Sequence, residues 1–313
     1  MSGALVISLD FELMWGVRDG HTIESYGAHI RGVRDALPAM LALFAERGIR
    51  ATWATVGFLF CRDRDELLAA CPPEELRPRY RDPRLSTYAY FDQMGQSAAD
   101  DPYSFAPDLV ERIAETPGQE IGTHTFSHFY AQEGASLPAF EADLAAARRV
   151  AEARRIKLRS LVFPRNQYTP EHIAAAARAG IDVYRGNPAA WPYRPVPGAE
   201  NSPLRRAARL LDAHLPVFGH HLAQPDPGNV PASRFLRPQS LLGPAHLAHI
   251  GAGMTRAART GLVYHLWWHP HNFGREVSRN MAGLTRLLDH FARLQGEHGM
   301  VSHSMLSQAE AVR

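Results

Sequence analysis

The stretch Glu120-Ile121-Gly122-Thr123-His124-Thr125-Phe126-Ser127-His128 decides how the rest of the chain is read. Two imidazoles four residues apart lie on one face of a helical turn, with their ring nitrogens close enough to share a small cation. Such a pair also arises by chance in a chain with 16 histidines, so its surroundings carry the argument. The run before His124 is apolar or small and closes on Gly122, as a β-strand does when it delivers side chains to a rim. Active sites of α/β proteins are built at such rims.

With those residues in place, the stretch resembles the His-Ser/Thr-x-x-His signature of polysaccharide deacetylases, the NodB-homology or carbohydrate esterase family 4 group. Upstream, Gly48-Ile49-Arg50-Ala51-Thr52-Trp53-Ala54-Thr55-Val56-Gly57 is similar to that family's second strand. The resemblance spans Leu5 to His269. It implies a distorted (β/α) barrel of about seven parallel strands. It also implies one divalent metal ion, Zn first and Mn, Co, Ni or Fe next, and hydrolysis of the N-acetyl amide of an amino sugar.

Leu5 to Asp10 is β-branched and alternating enough to form the first strand, and it ends in Asp10-Phe11-Glu12. Period-two geometry points carboxylates at i and i+2 the same way, so both face a common centre. The plain alternative is two solvated acids at a strand end. The family's usual element here is Thr-Phe-Asp-Asp, one acid a base and the next a metal ligand. This chain departs from it, with Phe11 between its acids and Glu for the second Asp. The resemblance makes Asp10 the base and Glu12 the ligand beside His124 and His128, although the two roles can be exchanged.

Composition sets outer bounds. A chain of 313 residues with 45% hydrophobic content can bury a large core, and α/β barrels of about 250 residues are commonly one domain. A single catalytic domain over residues 1–313 is expected. A formal net charge of +2 is too mild to argue for nucleic acid. Cys61 and Cys71 are the only cysteines, so there is no disulfide framework and no Cys-x-x-Cys metal site. Met1 to Ala4 runs straight into the first strand without the features of a signal peptide. No apolar run approaches the ~18 residues of a membrane span, so stable membrane insertion is not expected and a cytoplasmic location is.

Ser25 to Gly48 reads as one helix with Ile30, Val33, Leu37, Met40, Leu41 and Phe44 on a stripe. Residues 61–103 break into Pro, Arg and Asp clusters and read as an insertion, either a substrate wall or an idle surface loop. Leu137 to Arg155 is a long Ala-rich helix, and Leu158 to Phe163 is a strand ending in Pro164-Arg165-Asn166-Gln167-Tyr168. This end stands where the family has Arg-x-Pro-Tyr/Phe, but with Pro before Arg. By resemblance Arg165 holds the catalytic carboxylate and keeps it ionised, while Asn166, Gln167 and Tyr168 are candidates for binding sugar hydroxyls.

Ile181 to Arg185 is the next strand, followed by a rim region over residues 187–240. Within it Arg205, Arg206 and Arg209 suit a diphosphate carrier, since planar guanidinium forks pair two oxygens at once; they are equally ordinary surface residues. Leu262 to Trp268 reads as a buried strand ending in His269-Pro270-His271-Asn272-Phe273. The family's last motif is Leu-x-His at a strand end, which makes His269 the general acid. His271 and Asn272 are candidates for lining the sugar site.

The expected function is metal-dependent deacetylation of an amino sugar on a nucleotide- or lipid-linked precursor. The variants around Asp10, Arg165 and His269 most resemble the branch tied to bacterial surface-glycan synthesis such as O-antigen. A deformylase, a ring-amide hydrolase like the metal-independent allantoinases, and a non-catalytic glycan-binding protein stay as alternatives.

Overall fold

The computed structural model describes residues 2–194 and 202–313; residues 195–201 of the expected rim region lie outside the described residues. Strands and helices alternate along the chain. β1 (Ala4–Phe11) is followed by α1 (Ile23–Arg31) and α2 (Val33–Arg47), and β2 (Ala51–Thr55) by α3 (Arg64–Ala70) and α4 (Pro107–Glu115). Next come β3 (Gln119–Thr123) with α5 (Leu137–Glu152), β4 (Ser160–Leu161) with α6 (Pro170–Arg178), and β5 (Val183–Tyr184) with α7 (Pro203–His214). β6 (Arg234–Phe235) precedes α8 (Gly243–Thr260), β7 (Val263–Trp268) precedes α9 (Val277–His298), and β8 (Val301–His303) precedes α10 (Met305–Glu310).

The strands are parallel in the order β5-β4-β3-β2-β1-β7-β6, with β8 added to the start of β1. β1 is the centre of the sheet: Ile7 to Phe11 pair with Ala51 to Thr55 on one side, and Ala4 to Leu9 with Val263 to Trp268 on the other. The sheet curls until its edges approach. Residues 228–236 link them, exchanging hydrogen bonds with Tyr184 and Gly186 through their first half and with His265 and Trp267 through their second. The result is the distorted (β/α) barrel that the family resemblance implies.

Both faces of β1 are buried, as a parallel strand covered by helices requires. Leu5, Ile7, Leu9 and Phe11 point outward into the core shared with α2, α8 and α9, each contributing up to roughly 1.5–3 kcal/mol of burial free energy. Val6 and Ala4 point inward, where Ala54, Val162, Val183, Val230 and Met305 fill the lower barrel with small aliphatic groups. Above them on the same inward face stand Ser8 and Asp10. The alternation that fills the core therefore also aims the first carboxylate into the barrel mouth.

Two elements differ from the expectation. The single helix over Ser25 to Gly48 is broken at Gly32, where the Gly274 carbonyl crosses so closely that a Cβ would lie 1.8 Å from its oxygen. The strand over Leu158 to Phe163 is reduced to Ser160–Leu161, because the Val162 carbonyl accepts the His124 imidazole and so leaves the strand pattern. Residues 61–103 are tied to the loop that carries His128: Thr87 Oγ1 donates to the Ser127 carbonyl, and Tyr80 OH accepts from Tyr130 N–H. Among the described residues no helix is long and apolar enough to cross a membrane.

Candidate active site

The carboxyl ends of β1, β3, β4, β5 and β7 converge on one point. Glu12, just past β1, and His124 and His128, just past β3, present ligand atoms that all lie within 4.8 Å of one another. Glu12 Oε2 is 3.3 Å from His124 Nε2 and 3.0 Å from His128 Nε2. All three side chains are buried.

The two imidazoles do not sit on a helical turn. Thr125 and His128 adopt left-handed backbone conformations, with φ of 64° and 57°. The bend is held from beneath by Asp143 on α5, which accepts the Phe126 N–H at 2.7 Å, the Ser127 N–H and the Ser127 hydroxyl. Thr125 Oγ1 accepts the Phe129 N–H. The four-residue spacing brings the rings together through this bend instead of through helical periodicity.

The donor set fits a divalent cation. One carboxylate and two imidazoles are a common set for hydrolytic metals, leaving coordination positions open. His124 Nδ1 donates to the Val162 carbonyl at 2.8 Å, which fixes the tautomer and leaves Nε2 with its lone pair toward Glu12. Burial lowers the His128 pKa, favouring the neutral ring a ligand must be. Glu12 is pushed up by burial but pulled further down by His269, His124 and His128, and ends well below the usual carboxylate range. Its carboxylate lies over Gly16, where a Cβ would fall 2.0 to 2.4 Å from the carboxylate atoms. Only glycine leaves room for it.

Asp10 is held by Arg185, not by Arg165. Arg185 Nη1 and Nη2 donate to Asp10 Oδ1 and Oδ2 at 2.7 Å each, a bidentate pair that is almost fully buried. Nη1 also donates to Ser8 Oγ and Nη2 to Asn166 Oδ1, and the guanidinium lies 4.2 Å from the centre of the Trp267 ring. Burial raises the Asp10 pKa, and Arg185, joined by His124 and His269, more than offsets it, so the carboxyl titrates below its ordinary value. Arg165 is turned outward because it and Asn166 both take left-handed conformations after Pro164; it pairs with Asp19 and Glu133.

His269 follows β7 and faces both acids, its Nε2 3.8 Å from Asp10 Oδ2 and 3.6 Å from Glu12 Oε1. Asn272 Oδ1 lies 3.3 Å from His269 Nδ1, and the His271 ring stacks beneath at 4.9 Å. His271 is buried, with its pKa lowered to about 3 by burial and by His269. Asn272 and His271 thus support His269. Of the other expected substrate contacts, Asn166 lines the cavity beside His269. Gln167 is fully buried and donates to Glu133, and the Tyr168 hydroxyl accepts the Asn187 N–H. Arg205 donates to the Arg194 carbonyl and Arg206 is exposed, so of that trio only Arg209 reaches the cavity.

The residues missed from the sequence are Arg185 and Asp143. His265 Nε2 lies 2.8 Å from Ser8 Oγ and its Nδ1 2.9 Å from the Val230 carbonyl, so it locks the layer beneath Asp10 and Arg185. Arg185 closes a short apolar strand, and Asp143 interrupts the apolar stripe of α5 between Phe140 and Leu144. An ionisable residue in an otherwise buried stripe was the available signal for both.

A buried carboxylate–imidazole cluster and a guanidinium-held acid thus meet at the mouth of a parallel α/β barrel. Residues 31–184, just under half of the chain, match the model of the polysaccharide deacetylase family. Asp10, Glu12, Arg185 and His269 lie outside the matched span. Among solved structures, one described as a polysaccharide deacetylase from Mycobacterium smegmatis is similar at a TM-score of 0.62 and 13% identity, covering 99% of this chain and 90% of the other. One so described from Pseudomonas aeruginosa gives 0.59 at 11% identity, with 98% and 89% covered. The Puue allantoinase gives 0.59 at 12% identity, again with 98% and 89% covered. At these identities the likeness is one of fold. No curated protein matches the chain at a significant level.

Proposed function

We propose that the protein is a divalent-metal-dependent hydrolase of the N-acetyl amide of an amino sugar, zinc being the first candidate metal, and that it acts in the cytoplasm on an activated precursor of a surface glycan. The observation that carries this reading is the convergence of Glu12, His124 and His128 within 4.8 Å of one another directly beside an Arg-held carboxylate and a half-buried imidazole. A cation bound by those three residues would supply Lewis acidity, polarising the acyl carbonyl and acidifying water.

The chain's own residues supply the proton transfers. Asp10 is kept ionised by Arg185, and each of its oxygens retains a lone pair beyond the one the guanidinium occupies. It takes a proton from the attacking water as the C–O bond forms. His269, across a gap of 3.6 to 3.8 Å from the two carboxylates, delivers a proton to the nitrogen as the C–N bond breaks. Asn272 and the stacked His271 hold the imidazole for that transfer. The amide and water become acetate and a free amine.

The test is a panel of nucleotide-linked, lipid-linked and polymeric N-acetyl sugars, with N-formyl sugars and allantoin as controls, assayed by mass spectrometry and acetate release. Replacement of an N-acetyl group by a free amine, lost in His128→Ala together with metal content, supports the reading. Turnover of allantoin alone, or of polymer faster than any activated monosaccharide, overturns it.

A further inference from the structure

A cavity of about 370 Å³ opens beside His269, between the ends of β4 to β7 and helix α7. Its size is that of a small-molecule pocket. Among the described residues fifteen line it; five are arginines, and none is Asp or Glu. Two of the five are neutralised from outside the lining. Arg165 pairs with Asp19 and Glu133. Arg234 donates to Asp212 Oδ2 at 2.7 Å. Asp212 is then fully used, since it also accepts from Tyr193 OH, His221 Nε2 and the Phe218 N–H.

Arg237 and Arg194 are different. Among the described residues no carboxylate lies within ion-pairing distance of either. Arg194 donates through Nε to the Ala189 carbonyl. The Arg237 Nε is buried and has no hydrogen-bond partner. Burial and the neighbouring Arg209 and Arg234 lower the Arg237 pKa, which marks a cation held against its own desolvation and against like charge. A half-buried guanidinium without a counter-ion is costly unless a ligand provides one. Arg237 follows Phe235 by two residues, at most ~7 Å along the chain, and the Phe235 ring lies 5.6 Å from that of His269.

We propose that this cavity is a subsite for an anionic group, phosphate or carboxylate, borne by the substrate and held by Arg237 and Arg194 beside the reacting amide. The inference names the substrate class for the amide-hydrolase reading and rests on that reading only for the identity of the remaining substrate. It places recognition on Arg237 and Arg194, neither of which belongs to the Arg205, Arg206 and Arg209 group.

Isothermal titration of the whole metal-loaded protein tests it. The probes are N-acetylglucosamine, its 1-phosphate, UDP-N-acetylglucosamine and N-acetylglucosaminuronic acid, with wild type, Arg237→Gln, Arg237→Lys and Arg194→Gln. At least one charged probe should bind 10-fold or more tighter than the neutral sugar. Arg237→Gln should shrink that charged-to-neutral ratio by about 10- to 100-fold, the range for a charge-assisted hydrogen bond. Arg237→Lys should recover part of the ratio, and Arg194→Gln should lower it even if Arg237→Gln fails to fold. The phosphate and uronate arms tell the two anion sources apart. Equal binding of charged and neutral probes, or a ratio unmoved by substitution at both arginines, overturns the proposal. Arg237-dependent anion binding without amide hydrolysis of any probe would leave the subsite standing and remove the amide-hydrolase reading.

Discussion

Removing Arg185 is the most informative single perturbation, because its environment lets the cost be bounded. The guanidinium is 1% exposed and makes four hydrogen bonds, two to Asp10 at 2.7 Å and one each to Ser8 and Asn166 at 3.0 Å. Arg185→Met keeps much of the packing on Trp267 and deletes all four donors, leaving Asp10 as a buried carboxylate without its counter-charge. Breaking a buried pair in this way costs about 3–5 kcal/mol. The exposed pair Arg148–Glu152, whose side chains are 42% and 57% accessible, should yield no more than about 0.5 kcal/mol and serves as the control. Urea unfolding of chelator-treated protein measures both. The double variant Asp10→Asn/Arg185→Met should be less destabilised than the two single variants combined, with a coupling of about 1–3 kcal/mol. If Arg185→Met costs under 1 kcal/mol, or the cycle shows no coupling, the view that Arg185 holds a charged Asp10 is wrong.

Three further outcomes are expected. His269→Ala should lose ~10²- to 10⁴-fold in amide turnover while keeping its metal, and an activated ester needing little leaving-group protonation should regain much of that loss; equal loss on both substrates would count against a general-acid role. Gly16→Ala should displace the Glu12 carboxylate and weaken metal affinity by at least tenfold in a competitive chelator titration, with the fold retained by circular dichroism. Asp143 has its pKa pushed up from 3.8 to about 6 by burial, against the hydrogen bonds it accepts from Phe126 and Ser127. The folded state therefore binds the extra proton between those values, and stability falls as pH rises through about 4 to 6, by up to roughly 3 kcal/mol. Relative to Asp143→Asn, wild type should lose stability across that window in urea titrations; a relative gain would contradict the burial argument.

What could be read from the sequence and what could not separates by the reach of the interaction. Asp10 and Glu12, and His124 and His128, are neighbours in the chain. Their spacing and the strands before them carry the information, and the structure brings them together with His269 as those motifs suggested. The family resemblance made Arg165 the partner of Asp10, but that depends on one backbone detail. After Pro164 the chain takes two left-handed residues, which turns Arg165 toward Asp19 and Glu133 and leaves Asp10 to Arg185 from the next strand. The two-residue strands β4 and β5 lie inside stretches read as strands, whereas β6, also of two residues, is too short for periodicity to show. The His124 bend hid its support in Asp143, 17 residues from Phe126, where only the interruption of an apolar stripe pointed to it.

The most direct measurement is acetate release by the purified protein from UDP-N-acetylglucosamine and related N-acetyl sugars, before and after chelation and after titration with Zn²⁺. The expected result is activity lost on chelation and restored near one equivalent of metal in wild type, with no restoration in His124→Ala or Glu12→Ala. Undiminished hydrolysis by metal-free protein, or full restoration in either variant, would contradict the assignment of Glu12, His124 and His128 as the catalytic metal site.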